Sequence, residues 1–486
     1  MRIVHIVSEC APFAKSGGLG DVVYGLSRMT ARYGHAVEVI VPYYKSIQGI
    51  HNESKIDEFS LKLSHEQIII TVYYMVIHEI PVYLIDCDTK KNLFNRTSIY
   101  GEDDDAHRFL SFCYFSLCYL ERKKQITPFI LHLHDWPTAF TPYFLSRSFK
   151  ELSHHVLGCI LTIHNLQHQG ITHKNHFTYF GYASNSLPNL FHHQGNPDYI
   201  NLLKSGIDTV NHCTVVSPTY LKEIQTKEFG FGLEQFIKEH IHKFSAILNG
   251  IDTQYWNPLV DPFLHRNYRA DALIDHVIEE KYRNKHYLQK KLGLDPSHRP
   301  LFVFITRLVE QKGPWLILES IKEIIKKGCQ CVLLGSEPTA ELKEAFQEID
   351  KPGQVYMDFK YQEGLSHLCF AAADAIIIPS IFEPCGLTQM IAMRYGAIPI
   401  VRKTGGLADT VHDIEHSNMP LKNRNGFVFE YPTLDSMDYI ITRAIDCFDN
   451  NQEQWKTLMK TCLLQDHSFE VPASLYIAVY QTFEKS

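Results

Sequence analysis

The sequence predicts an α/β protein made of two doubly wound, parallel-sheet domains. Three observations predict it. The first 45 residues read as strand, loop, helix, strand, with RIVHIVS and AVEVIVP as near-continuous apolar runs around an amphipathic stretch. After residue 300 a second series of apolar runs alternates with helical patterns. Between the two series, ILNGID leads into a polar stretch, DTQYWNP, that reads as a boundary. Composition agrees: 486 residues with 45% hydrophobic content suit two or three globular domains.

The first helix is read from DVVYGLSRMTARYG, with apolar Val22, Val23, Leu26 and Met29 on one face, a start near Asp21 and a stop at Gly34. A right-handed crossover then makes the flanking strands parallel. ITVYYMVI and IPVYLIDC follow as strands expected to pair antiparallel, then FILHLHDW, VLGCILTIHN and NHCTVVSP. The second series supplies four strands, LFVFITR, CVLLGS, AIIIPS and AIPIVRK, separated by WLILESIKEIIKK, PTAELKEAFQEI and GLTQMIAMRYG as helices. The domains are placed at 1–248 and 249–467, both Rossmann-like. A C-terminal helix within 468–486 (ASLYIAVYQTF) is expected to pack back on the first.

Charge and composition remove several function classes. A net charge of −7 argues against a nucleic-acid surface. No run of about 18 apolar residues predicts a membrane span, and the N-terminal apolar run is too short for a signal peptide. The 12 cysteines are scattered, Cys113 and Cys118 in a core-like helix and Cys329 and Cys331 on one face of a strand, which reads as reduced thiols in a cytoplasmic protein. Of 27 histidines, His132-x-His134 and His164-x-x-x-His168 have metal-like spacing. HNLQH, however, lacks the glutamate of a metalloenzyme helix, and no metal is expected.

Chemistry concentrates in loops after strands, where open α/β sheets bind ligands. KSGGLGDV puts Lys15, Gly17, Gly18 and Asp21 between the first strand and its helix. Glycines allow close backbone approach, and a helix start with a lysine suits a phosphate. A dinucleotide fingerprint fits poorly, since Val23 stands where its third glycine belongs. In the second half, TRLVEQKG sets Arg307 and Lys312 past a strand, a planar fork and a point charge suited to a diphosphate. IFEPCGLTQM places Cys385, Gly386, Leu387 and Thr388 at a helix start, with Glu383 just before it, where a sugar is its better partner than a phosphate. Lys403-Thr404-Gly405-Gly406-Leu407-Ala408-Asp409 echoes the first loop.

In combination and order, KSGGLGDV, HLHDW, LTIHNLQHQG, ILNGID, TRLVEQKG, IFEPCGLTQM and RKTGGLADTV resemble the bacterial glycogen and starch synthases, over nearly the whole chain. The resemblance implies a GT-B fold, two facing Rossmann-like domains with a cleft between them that closes on the donor. It implies a retaining glucosyltransferase that uses a nucleotide-diphosphate glucose, ADP-glucose favoured, and a glycogen or α-1,4-glucan primer, without cofactor, metal, nucleic acid or membrane. On it, Lys15, Gly17 and Gly18 touch the donor phosphates and Asp21 shapes their loop. Arg307 and Lys312 neutralise the leaving diphosphate, while Gly386, Leu387 and Thr388, beside Cys385, hold phosphate. Glu383 orients the glucose, His164 stands by the reacting carbon, and Asp135, Trp136 and Tyr100 serve the sugars. Departures from the usual pattern are His168 for a tyrosine, Asp105 for an asparagine and Phe469 for a tryptophan. Two other readings fit the residues less well: another nucleotide-sugar transferase or epimerase of this fold, and a glucan-binding protein without activity, which would be expected to lose Arg307, Lys312 or Glu383. A phosphorylase would carry pyridoxal phosphate on a lysine.

Overall fold

A computed structural model of the protein describes residues 1–486 apart from 48, 50, 51, 90, 91, 124, 125, 361, 485 and 486. The chain forms two compact units, Met1–Gly250 with Phe469–Ser486, and Ile251–Ser468. The sequence reading had set the boundary after residue 248.

The strands of the first unit are β1 (Arg2–Ile6), β2 (Ala36–Pro42), β3 (Ser54–Leu63), β4 (Glu66–Ile77), β5 (Ile80–Asp88), β6 (Phe129–His134), β7 (Val156–Ile163), β8 (Ile171–His173), β9 (His192–His193), β10 (Asn196–Asn201), β11 (His212–Val215) and β12 (Phe244–Ala246). Nine of them make one sheet in the order β12-β11-β7-β6-β1-β2-β5-β4-β3, and β8, β10 and β9 make a small second sheet. The large sheet is parallel from β12 to β5; β4 pairs antiparallel with both β5 and β3. β3 was passed over in the sequence because SKIDEFSLKL alternates charge with apolar side chains, as an exposed edge strand does. The central strands β1 and β6 are buried on both faces, and β6 is buried along its whole length, two histidines included.

The first helix spans Gly18–Arg32, so it starts three residues before the expected Asp21, and Gly34 ends it at φ +86°. The apolar register buries Val22, Val23 and Leu26; Met29 is only half-buried. A helix at Glu470–Glu484 completes this unit. Two glycines make room for it. A Cβ on Gly25 would lie 2.1 Å from the Phe469 ring, and one on Gly158 would lie 2.6 Å from the Phe483 ring. Residues 485 and 486 of the predicted C-terminal segment lie outside the described residues.

The second unit has one parallel sheet of β13 (Leu301–Arg307), β14 (Gln330–Ser336), β15 (Val355–Asp358), β16 (Ala375–Ile378), β17 (Ile398–Arg402) and β18 (Phe427–Phe429), in the order β15-β14-β13-β16-β17-β18. The sequence showed four of the six. The other two, β15 and β18, are edge strands of four and three residues, too short to stand out as apolar runs. The strand order reverses between β13 and β16, and loops at such a switch point form the ligand crevice of doubly wound sheets.

Candidate active site

The loops that follow β13 and β16 carry the second unit's chemistry. Arg307 is the exposed last residue of β13. The chain then makes one 3-10 turn, Glu310–Lys312, and turns at Gly313, whose φ of +66° and close approach to the Pro379 carbonyl (2.8 Å from a Cβ) exclude other residues. The two loops are bonded to each other: the Ile381 amide donates to the Gln311 carbonyl at 2.9 Å, and the Gln311 side chain donates to the Phe382 carbonyl at 3.3 Å. Arg402 holds the second loop from behind through the Ser380 and Ile381 carbonyls.

This scaffold brings Lys312 to Glu383. The Lys312 ammonium donates to Glu383 Oε2 at 2.5 Å, and the Ser380 hydroxyl donates to the same oxygen at 2.9 Å. Glu383 is only 6% exposed. The sequence reading gave the cation to phosphate and the carboxylate to sugar as separate groups; the structure places them in contact. Two of the three ammonium hydrogens remain for other acceptors.

Gly386, at φ +74°, turns the chain into the helix Thr388–Arg394, with Leu387 as its cap. The Gln389 side chain donates to the carbonyls of Cys385 (3.2 Å) and Gly386 (2.9 Å), which fixes the turn from inside. Cys385 is buried. The Lys403–Asp409 echo packs against this turn. The Gly406 amide donates to the Glu383 carbonyl at 3.0 Å, and a Cβ on Gly406 would stand 2.1 Å from the Cys385 carbonyl oxygen.

In the first unit the KSGGLGDV loop is organised by Glu9, which sequence reasoning missed. Its buried carboxylate accepts the amides of Ser16 at 2.7 Å and Gly17 at 3.0 Å. Lys15 pairs with Asp21 at 2.8 Å. Asp21 lies in the first helical turn, where the helix dipole favours a carboxylate.

Asp135, just past β6, takes a left-handed φ of +55°. Its Oδ1 accepts the His164 amide at 2.7 Å and the Asn165 amide at 3.2 Å, so it ties the loops after β6 and β7 together. Burial raises its carboxyl to about 7, against the pull of those two amides. His164 Nε2 lies 3.0 Å from His134 Nδ1, and His134 Nε2 lies 3.0 Å from His5 Nδ1. Burial lowers His164 to about 3, so its ring is neutral near pH 7. Trp136 stands edge-on to Phe109 and over Gly170, where a Cβ would be 2.3 Å from its ring. Tyr100 is bonded to the Ser8 hydroxyl at 2.7 Å, and burial pushes its phenol well above the ordinary value. Both aromatics are partly buried against the core around Phe109.

Ser380, Gln311, Glu9, His134 and His5 therefore join the predicted residues. Gln311 and His134 lay inside the quoted motifs, and Ser380 ends the apolar strand run AIIIPS. Glu9 and His5 carried no periodic signal, since a buried acid and a buried histidine read like any polar residue beside a strand. Among the described residues, His5, His132 and His134 have ligand-capable atoms within 4.8 Å of one another. Both nitrogens of His132, both of His134 and Nδ1 of His5 already have hydrogen-bonding partners.

Comparison with known proteins places this geometry. Residues 2–239 match the family profile described as starch synthase catalytic domain, and 288–458 match glycosyl transferases group 1. A glycogen synthase of Protochlamydia amoebophila strain UWE25 is 39% identical over 496 residues, covering 99% of each chain. A probable starch synthase 4 of Arabidopsis thaliana is 40% identical over 99% of this chain and 47% of its own length. Among solved structures, the catalytic domain of Arabidopsis starch synthase IV bound to ADP and acarbose superposes with a TM-score of 0.94 at 38% identity, over 100% of this chain and 99% of that one. A sucrose-phosphate synthase of Thermosynechococcus elongatus, at 16% identity and a TM-score of 0.63, shares the fold.

Proposed function

Because the chain belongs to the starch and glycogen synthase family of glucosyltransferases, we propose that it extends α-1,4-glucan from ADP-glucose. It is a GT-B enzyme that transfers glucosyl groups from a nucleotide sugar to a glucan. The adenine base is the finer part of the proposal. It is supported by the related starch synthase catalytic domain, which binds ADP.

The observation that carries the mechanism is the Lys312–Glu383–Ser380 constellation at the switch point of the second unit. In the reaction the bond between glucose C1 and the diphosphate oxygen breaks. The 4-hydroxyl oxygen of the glucan's terminal residue bonds to C1 on the face the diphosphate leaves, and the hydroxyl proton passes to a leaving phosphate oxygen. Negative charge grows on the diphosphate, so fixed cations act there most strongly. Lys312 supplies a cation already held in place by Glu383, and Arg307 supplies an exposed fork at the end of β13. Gly386, Leu387 and Thr388 offer backbone amides and a hydroxyl to phosphate. A double displacement needs two carboxyl groups about 5 Å apart. Glu383 is engaged by Lys312 and Ser380, which favours its holding the donor over attacking it. The twelve cysteines, scattered in sequence and buried, suit a reducing compartment, and we assign the enzyme to the cytoplasm.

The test is glucose transfer to a glucan primer from ADP-glucose and UDP-glucose in separate assays. Transfer with a higher kcat/KM for ADP-glucose is expected. Preference for UDP-glucose would overturn the donor assignment, and failure with both would overturn the glucan reading.

A further inference from the structure

The carboxyl ends of β1, β6 and β7 bring together a line of imidazoles that runs inward from His164. His164 Nε2 meets His134 Nδ1 and His134 Nε2 meets His5 Nδ1, each at 3.0 Å. His5 and His134 are 0% exposed. Among the described residues, the line stops at His5 Nε2, which is buried and has no hydrogen-bond partner. His132 is stacked on His134 with ring centres 4.3 Å apart but stays outside the line, because its nitrogens meet the Tyr480 and Thr162 hydroxyls at 2.8 and 2.7 Å.

The geometry points to His134 and His5 as positioning residues that fix the tautomer of His164, so that its Nδ1 carries a hydrogen and serves as a donor to the bound nucleotide sugar. This deepens the glucosyltransferase reading and rests on it for the identity of the acceptor oxygen. Three neutral imidazoles carry three ring N–H groups. Two are consumed in the line, and the third must sit at one end. Placed at His5 Nε2, it would be a buried donor with no acceptor, which folded proteins avoid. Placed at His164 Nδ1, it lies on a half-buried ring whose free nitrogen is not among the sealed, unpartnered atoms. The hydrogens then point one way: His5 Nδ1–H donates to His134 Nε2, and His134 Nδ1–H donates to His164 Nε2. His164 Nε2 is thereby held as an acceptor. Its Nδ1–H is left to meet an oxygen of the donor sugar or its phosphate, and cannot serve as a base. The Asp135 carboxylate fixes the backbone of the same residue, so backbone and ring are both held.

The test uses the full chain labelled with 15N-histidine, with the His164 signals assigned by their loss in His164→Gln. A pyrrole-type Nδ1 and a pyridine-type Nε2 are expected in the wild type without substrate. His5→Phe removes the innermost donor. It should leave His164 a mixture of tautomers and lower kcat for glucose transfer about tenfold, the worth of one net hydrogen bond, with KM for the nucleotide sugar nearly unchanged. His5→Asn keeps an N–H where Nδ1 stands and should restore both the signals and kcat. A pyridine-type Nδ1 in the wild type would overturn the inference, as would His5→Phe with the wild-type tautomer and kcat. If His5→Phe does not fold, the wild-type spectrum decides alone. Absence of transfer from any nucleotide sugar would sink the glucosyltransferase reading, while the spectrum would still decide the tautomer.

Discussion

Single residues show how a polar site survives inside a fold. Lys312 and Glu383 are both largely buried and satisfy each other, so neither can be removed cleanly. Lys312→Ala should cut kcat a hundredfold or more through loss of a preorganised cation. It should also cost about 1–3 kcal/mol of stability, because Glu383 keeps a buried charge with one partner fewer. The double variant Lys312→Ala/Glu383→Gln should regain most of the melting temperature and none of the activity; a double variant as unstable as the single would show that the pair does not govern stability. Asp135 behaves in the opposite sense. Its carboxyl sits at about 7 in the folded protein against an ordinary 3.8. Between those values the folded chain holds a proton that the unfolded chain has released, so this group's contribution falls as pH rises through the window. Asp135→Asn keeps an oxygen for the His164 and Asn165 amides and removes the charge. Its Tm relative to wild type should rise from pH 5 to pH 8, and a pH-independent difference would refute the assignment.

At the scale of elements, the loops matter more than the strands they follow. Apolar runs revealed the central strands because a strand buried on both faces has no polar positions to interrupt it. The edges β3, β15 and β18 stayed hidden, one for its alternation and two for their shortness. Motif residues such as Arg307, Lys312 and Gly386 were legible because their types sit at fixed offsets from a strand end. What no spacing could reveal was which side chain occupies which partner: that Glu9 takes the Ser16 and Gly17 amides, or that Glu383 takes Lys312. The Gly405–Gly406 echo illustrates the gap. In sequence it only echoed the first loop, and the structure uses it as a buttress whose backbone lies against Glu383 and Cys385. Gly406→Ala should therefore shift the Glu383 turn, lowering Tm by several degrees and raising KM for the nucleotide sugar. An alanine variant with wild-type KM would show that the turn does not depend on this contact.

For the whole molecule, the informative fact is that the first unit is discontinuous in sequence. Its C-terminal helix fills space left by Gly25 and Gly158 and bonds to His132 through Tyr480. A chain ended at Ser468 should lose the cooperative unfolding of the first unit while the second, residues 251–468, stays folded and binds ADP. Equal loss in both units, seen by hydrogen exchange, would mean that they do not fold separately.

That discontinuity sets a timetable for synthesis. When residue 250 is made, the sheet of the first unit is present, but the groove over Gly25 and Gly158 is still bare. The ribosome must finish the second unit before Phe469 and the helix after it can fill that groove. At about 5–20 residues per second this takes roughly 10–50 s. Throughout that interval an apolar, glycine-floored face on one nascent unit waits beside another unit that can already fold. Chaperone capture should therefore peak while the chain is between these lengths, and should end when Tyr480 emerges.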